Sequence, residues 1–173
     1  TTADEARALR NSLSGDANEL TADGTNARLN DNLVSGQQNE LSASDNESRL
    51  RRNAVSGSSN TLLSTGDRST VDDNTLNGNA NDNVADGDNA DASDNVGSGD
   101  DHSITAFGDD AEANDNTFNG TESFISSIES TANNNDLIGT NNGVTAIDGS
   151  QADANLLSGI DNQVVAVSGS EVT

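Results

Sequence analysis

A chain of 173 residues has the length of one domain, but 30% apolar residues, three aromatics (Phe107, Phe118, Phe124) and a formal charge of −23 exclude an ordinary globular core. Proline, cysteine, methionine, tryptophan, tyrosine and lysine are all missing, which excludes a disulfide scaffold, a thiolate metal centre and a lysine nucleophile. Residues 1–68 hold all seven arginines against ten acids, a net of −3, while residues 69–173 hold twenty acids and no base. Such a balance tells against nucleic acid or an anionic membrane as partner, since phosphate binding needs a basic surface. No stretch has the apolar length of a membrane span. No signal peptide is visible; the start at Thr1 rather than methionine reads most simply as a mature, processed chain, with an arbitrary boundary as the alternative, and a secreted protein is the expectation.

The first element, residues 1–10, reads TTADEARALR. Thr2 and Glu5 stand at capping-box spacing ahead of Ala6 and Leu9, which predicts a short helix over 3–10 that caps the first repeat. From residue 11 the chain repeats. The string N-x-[LVF]-x-G begins at Asn11, Asn32, Asn53, Asn74, Asn95, Asn116, Asn135 and Asn155, with the copy at Asn95 degenerate. The spacings are 21 residues five times, then 19 and 20. Glycines keep the same step at Gly15, Gly36, Gly57, Gly78, Gly99, Gly120, Gly139 and Gly159.

A second polar column stands seven residues later: Asn18, Asn39, Asn60, Asn81, His102, Ser123, Asn142 and Asn162. Two residues on come Leu20, Leu41, Leu62, Ile104, Ile125, Val144 and Val164; Asn83 is the exception, with Val84 beside it as the substitute. A small-residue column (Ala22, Ala43, Ser64, Ala85, Ala106, Ser127, Ala146, Ala166) lies two further on. Each heptad therefore reads polar-x-apolar-x-small-x-x. Alternate positions share a face, as in a strand, and the last two carry corner residues. Seven is also the coiled-coil period, but Asn, Gly, Ser, Thr and Asp fill the repeat, and these are poor in helix interiors. The predicted fold is all-β: a parallel β-solenoid over residues 11–173, of about eight 21-residue coils, each made of three short heptad strands. Stacked coils place the eight leading asparagines in one column, where their amides can form a ladder.

The final segment, NQVVAVSGSEVT, is strand-like and uncapped, so Val164, Val165 and Val167 form the predicted assembly edge. An arginine-bearing end and an acidic end attract, which predicts a second copy of this chain as partner, in a head-to-tail polymer.

Few residues suggest chemistry. His102, the lone histidine, occupies the asparagine column and reads as structural. No nucleophile–base set and no G-x-S-x-G elbow occur, so no enzyme is expected. Calcium is the one cofactor with a candidate place, at Asp82, Asp86, Asp88 and Asp91 with Asp94 nearby; solvated acidic loops are the alternative. Neither the EF-hand nor the calcium β-roll pattern is met. Arg49, Arg51 and Arg52 form one basic knot, read as pairing with neighbouring acids or as docking an acidic C-terminal half.

The N-x-V-x-x-G cadence resembles the head repeats of bacterial trimeric autotransporter adhesins. The G-x-x-N-x-[LVI] step in GDANEL, GQQNEL, GSSNTL, GTNNGV and GIDNQV resembles curlin repeats of bacterial functional amyloid. Both resemblances imply a surface or matrix structural protein. The expected function is an extracellular, self-assembling subunit of a filament, sheath or biofilm matrix. A calcium-dependent surface adhesin or coat is the alternative, and an ice-binding solenoid a further one.

Overall fold

A computed structural model describes residues 4–172. Among the described residues every regular element is a strand, and every pairing is parallel, each strand meeting its counterpart one coil away. The chain is a parallel β-solenoid of about eight coils with three sheet faces. Among the described residues no helix is long and apolar enough to cross a membrane.

Face A stacks β2 (Ser12–Ser14), β5 (Leu33–Ser35), β8 (Ala54–Ser56), β11 (Thr75–Asn77), β13 (Val96–Ser98), β15 (Thr117–Thr121), β17 (Asp136–Thr140) and β20 (Leu156–Ile160). Face B stacks β3 (Glu19–Asp23), β6 (Glu40–Ser44), β9 (Thr61–Thr65), β12 (Asp82–Asp86), β14 (Ser103–Glu112), β16 (Phe124–Thr131), β18 (Gly143–Ile147) and β21 (Gln163–Val167). Face C begins with β1 (Arg7–Leu9), β4 (Arg28–Asn30), β7 (Arg49–Arg51) and β10 (Thr70–Asp72). It continues through single bridges at Asp91 into the ends of β14 and β16, then β19 (Gln151–Ala152) and β22 (Glu171–Val172).

The N-terminal helix is not there. Glu5 has a left-handed φ of 59°, which an α-helix cannot contain, and Arg7–Leu9 is β1, registered on β4 as Arg7↔Arg28 and Ala8↔Leu29. Ala6 and Ala8 both point inward, a two-residue alternation that a helix would break. The sheet edge offered by β4 outweighs a local capping signal; Thr2, the other half of that signal, lies outside the described residues.

Nor are the three segments equal heptads. The inward-facing residues run Asn11 and Leu13, then Asn18, Leu20 and Ala22, then Ala27 and Leu29, before Asn32 starts the next coil. Successive segments thus span 7, 9 and 5 residues. The long segment carries the B-to-C corner, and that corner absorbs the irregular spacings. In β14–β16 the register runs 21 apart at Phe107↔Ile128 and 19 apart at Ala111↔Ser130, so two residues drop out between faces B and C.

Corners share one device. The residue before each inward column adopts a left-handed backbone: Asp31, Asp73, Asp94 and Asp115 precede the first column, with φ of 56–59°. Asp and Asn tolerate that region better than other non-glycine residues, which explains their abundance here. The repeating glycine is required for a different reason. Gly36 has φ of 125°, and a Cβ there would lie 2.0 Å from the carbonyl oxygen of Gly15 in the coil beside it.

The core is thin, and it changes along the axis. Face C contributes Leu29, Leu50 and Val71, then only Ala92, Ala113, Ala132 and Ala152. Face A contributes Val34, Val55 and Leu76, then Gly97, then the large Phe118. Phe118 fills space that the alanines and Gly97 vacate, and close packing requires that exchange. A Cβ on Gly97 would come 2.2 Å from Phe118 Cδ1. Asn83 itself faces inward, fully buried between Leu62 and Ile104, while Val84 points outward, so Val84 does not stand in for it.

Candidate functional site: ladders and outer faces

The first asparagine column forms one continuous ladder. Asn11, Asn32, Asn53, Asn74, Asn95, Asn116 and Asn135 each donate from Nδ2 to Oδ1 of the next asparagine, at 2.9–3.2 Å, ending on Asn155. The backbone N–H of each donates to the same oxygen at 2.9–3.1 Å. The second amide hydrogen of Asn32, Asn53, Asn74, Asn95 and Asn116 reaches a face-C carbonyl of the preceding coil, from Ala8, Leu29, Leu50, Val71 and Ala92 respectively. Both donors and both acceptor sites of these five amides are thereby used, the condition for burying an amide without loss.

The second column does this only in part. Asn18, Asn39 and Asn60 donate to the next oxygen at 3.0–3.1 Å, ending on Asn81. His102 and Ser123 then interrupt. Both ring nitrogens of His102 are buried without a partner, its ring stacks on Phe118 at 5.5 Å, and its backbone N–H donates to Ser123 Oγ at 3.3 Å. Asn83, whose amide atoms are also unpartnered, lies in the coil that His102 stacks upon.

The acidic candidates separate. Asp82 and Asp86 point outward from β12, Asp88 sits at the following corner, and Asp91 bridges Thr70 and Glu112 on face C. Asp82 accepts from Ser103 Oγ at 2.9 Å and Asp88 from the N–H of Asp109 at 3.3 Å. Asp94 holds one of the left-handed corners. Among the described residues no three His, Cys, Asp or Glu side chains converge where a metal ion could sit. An open recess of about 480 Å³, lined by Asp109, Asp110, Glu129 and Asp148, marks the corner where two residues drop out.

Arg51 and Arg52 of the basic knot bind neighbouring coils: Arg51 pairs with Asp72 at 2.6 Å and Asp73 at 3.1 Å, and Arg52 with Asp31 at 2.7 Å. Burial raises the Asp72 carboxyl above its usual range against the pull of Arg51. Burial likewise raises Asp91, against a hydrogen bond from Ser93. The hydrogen bond from Arg52 lowers Asp31, and those from Thr121 lower Asp100.

The C-terminal edge divides as well. Val164 points inward and half-covers the open end of the core, whereas Val165 and Val167 project from face B, 38% and 46% exposed. They are not alone there. Phe107, Ile128, Ile147 and Val167 form an outward column on face B, where the N-terminal coils carry Asp23, Ser44, Thr65 and Asp86. Sequence reasoning missed that column, although its spacing follows the repeat. Reasoning from sequence put Arg49 in the basic knot but missed the column it forms with Arg7 and Arg28, spaced at 21 residues and facing outward on face C.

No family model, curated protein or solved structure matches the chain.

Proposed function

We propose that the chain is an extracellular structural protein, a subunit that self-assembles into a filament, sheath or surface matrix. The observation that carries this reading is the first asparagine ladder: seven rungs in register, each held by the coil beside it. A fold whose stability comes from stacking like on like gains from each added coil, and such repeats need several neighbours to be stable at all. The ladder also has a direction. Each asparagine donates toward the C-terminal end, so one end of the column presents an acceptor, Asn11 Oδ1, and the other a donor. Stacking of that kind is heterologous and does not close, which makes fibres rather than rings.

Charge supports the same polarity, with a net of −3 over residues 1–68 and −20 over residues 69–173. At the C-terminal coil Leu156, Ile160, Val165, Val167 and Val172 are exposed, an apolar rim suited to being covered. Secretion is part of the proposal and rests on the resemblance to bacterial surface repeats.

Electron microscopy of concentrated protein tests the reading. Wild type is expected to form unbranched filaments, and Val165→Asp with Val167→Asp to leave a protein that is folded by circular dichroism and forms no filaments. A double variant that still makes normal filaments removes the C-terminal rim as the joint. Wild type that stays monomeric under all conditions removes the reading altogether.

A further inference from the structure

The outward column of face C has an arrangement of charge that the chain itself leaves unsatisfied. Adjacent coils superpose Arg7 on Arg28, Arg28 on Arg49, Arg49 on Thr70, Thr70 on Asp91 and Asp91 on Glu112, followed by Thr131, Gln151 and Glu171. Neighbouring strands are about 4.8 Å apart, and like charges directly opposite one another destabilise a sheet. Three stacked guanidiniums followed by two stacked carboxylates is therefore an arrangement that calls for a counter-charge. Among the described residues only Arg7 of this column has an ion pair, with Glu5 at 3.3 Å, while Asp91 feels Arg51 of the adjacent column at longer range. Among the described residues neither Arg28 nor Arg49 has an ion pair; Arg28 Nε is buried without a partner, and so is one oxygen of Asp91.

We propose that face C is a self-association surface on which two copies pack antiparallel, with Thr70 on the two-fold axis. An axis along the strand direction keeps each outward column opposite the same column of the partner and reverses the order of coils. Counting outward from Thr70, Arg49 then meets the partner's Asp91, and Arg28 the partner's Glu112; both pairings occur twice by symmetry. Moving the axis half a coil toward Arg49 also makes two opposite pairs, Arg28 with Asp91 and Arg7 with Glu112, but leaves Arg49 opposite Thr70 and draws on Arg7, which already has Glu5. Moving the axis one coil to Asp91 sets Asp91 against itself and Arg28 and Arg49 against the uncharged Gln151 and Thr131. In the adjacent outward column Asp72 faces its own copy, where Arg51 at 2.6 Å already neutralises each carboxylate.

Charge also fixes the orientation. A parallel pair would set the −20 halves side by side, whereas the antiparallel pair sets each against a half of net −3. The face is narrow, roughly 10 Å by 35 Å for the coils that overlap, or about 350 Å² per copy. The total of about 700 Å² is below the roughly 1,000 Å² of a stable specific interface, so the contact is a weak, transient one and sensitive to salt. It adds a sideways contact to whatever happens at the ends and does not rest on the end-to-end reading.

The test uses two full-length variants, Arg28→Glu with Arg49→Glu, and Asp91→Arg with Glu112→Arg, each checked for wild-type circular dichroism. Sedimentation velocity is run on the order of 100 μM protein in roughly 20 mM and 300 mM salt. Wild type is expected to dimerise at low salt, with affinity at least ~10-fold lower at high salt. Each variant alone sets like charges together and is expected to lose the salt-sensitive dimer. Mixed one to one, all four pairings become opposite in charge, and heterodimers are expected. Variants that fail to associate on mixing overturn the proposal, and so does a wild type that is monomeric at low salt or dimerises equally as either variant. Val165→Asp with Val167→Asp leaves face C intact and is expected to dimerise like wild type, which separates this contact from the end-to-end joint.

Discussion

The two asparagine columns run side by side through the same coils, seven residues apart, yet one is complete and the other is not. In the first, Asn11 to Asn155, every coil supplies the same amide, and each buried donor meets the oxygen of the next. In the second, the run from Asn18 stops at Asn81, because His102 cannot accept from both the N–H and the amide of its neighbour in the geometry of an asparagine. The difference coincides with a change in core volume. Leu29, Leu50 and Val71 give way to alanines, Gly97 opens a space, and Phe118 fills it beside the His102 ring. The interruption in the second ladder thus falls beside the one buried aromatic of the described core, in coils where face C supplies alanine and the first ladder runs on unbroken.

The largest expected effect comes from breaking the intact column. Asn53→Leu removes the oxygen that accepts from both the N–H and Nδ2 of Asn32, stranding two buried donors. At about 1–3 kcal/mol for each buried group left unpaired, the loss should be about 3–5 kcal/mol, read from chemical denaturation. Second, Gly97→Ala drives a methyl into the Phe118 ring and should cost about 1–3 kcal/mol. Adding Phe118→Leu, the residue Leu76 and Leu137 supply elsewhere in that column, should recover most of the loss, and the double-mutant cycle measures it.

The converse experiment repairs the damaged column. His102→Asn restores an acceptor for Asn81 at the cost of the stack on Phe118, and should stabilise by about 1 kcal/mol, seen as a raised thermal midpoint.

A smaller effect comes from acidity. Asp72 and Asp91 have raised carboxyls, so their stabilisation is fully present below the ordinary value of 3.8 and is lost as pH rises through their higher folded-state values. Asp31 and Asp100 have lowered carboxyls, which stabilise above 3.8 and lose that contribution as pH falls through their lower folded-state values. Relief of the −23 charge acts in the same sense as the first pair. The thermal midpoint should therefore rise by a few degrees from pH 7 toward about pH 4–5, and fall again well below 3.8.

Much of this was legible because the repeat superposes identical residues. Asn11, Asn32 and Asn53 recur at 21 residues, and a solenoid turns that spacing directly into contact. The helix over 3–10 failed for the opposite reason. A capping signal is local, while the inward alternation of Ala6 and Ala8 gains its meaning only from β4 lying against it. Equal heptads failed because polar columns at 7-residue spacing mark two corners, and the third corner is announced only by the small residues Ala27, Ser48, Ser69, Ala90 and Ala111. The Arg7, Arg28 and Arg49 column was available at the same 21-residue spacing, but arginines look like solvated charges until the fold shows that they share one face.

Amide hydrogen exchange, resolved by residue, tests most directly the claim that the first ladder holds the coils together. The account predicts that the N–H groups of Asn32, Asn53, Asn74 and Asn95, each held by the next asparagine's Oδ1, exchange only through global unfolding, while Asn81, at the broken rung, exchanges at least ~10-fold faster. Equal protection of Asn81 and Asn74, or rapid exchange throughout the first column, would contradict it.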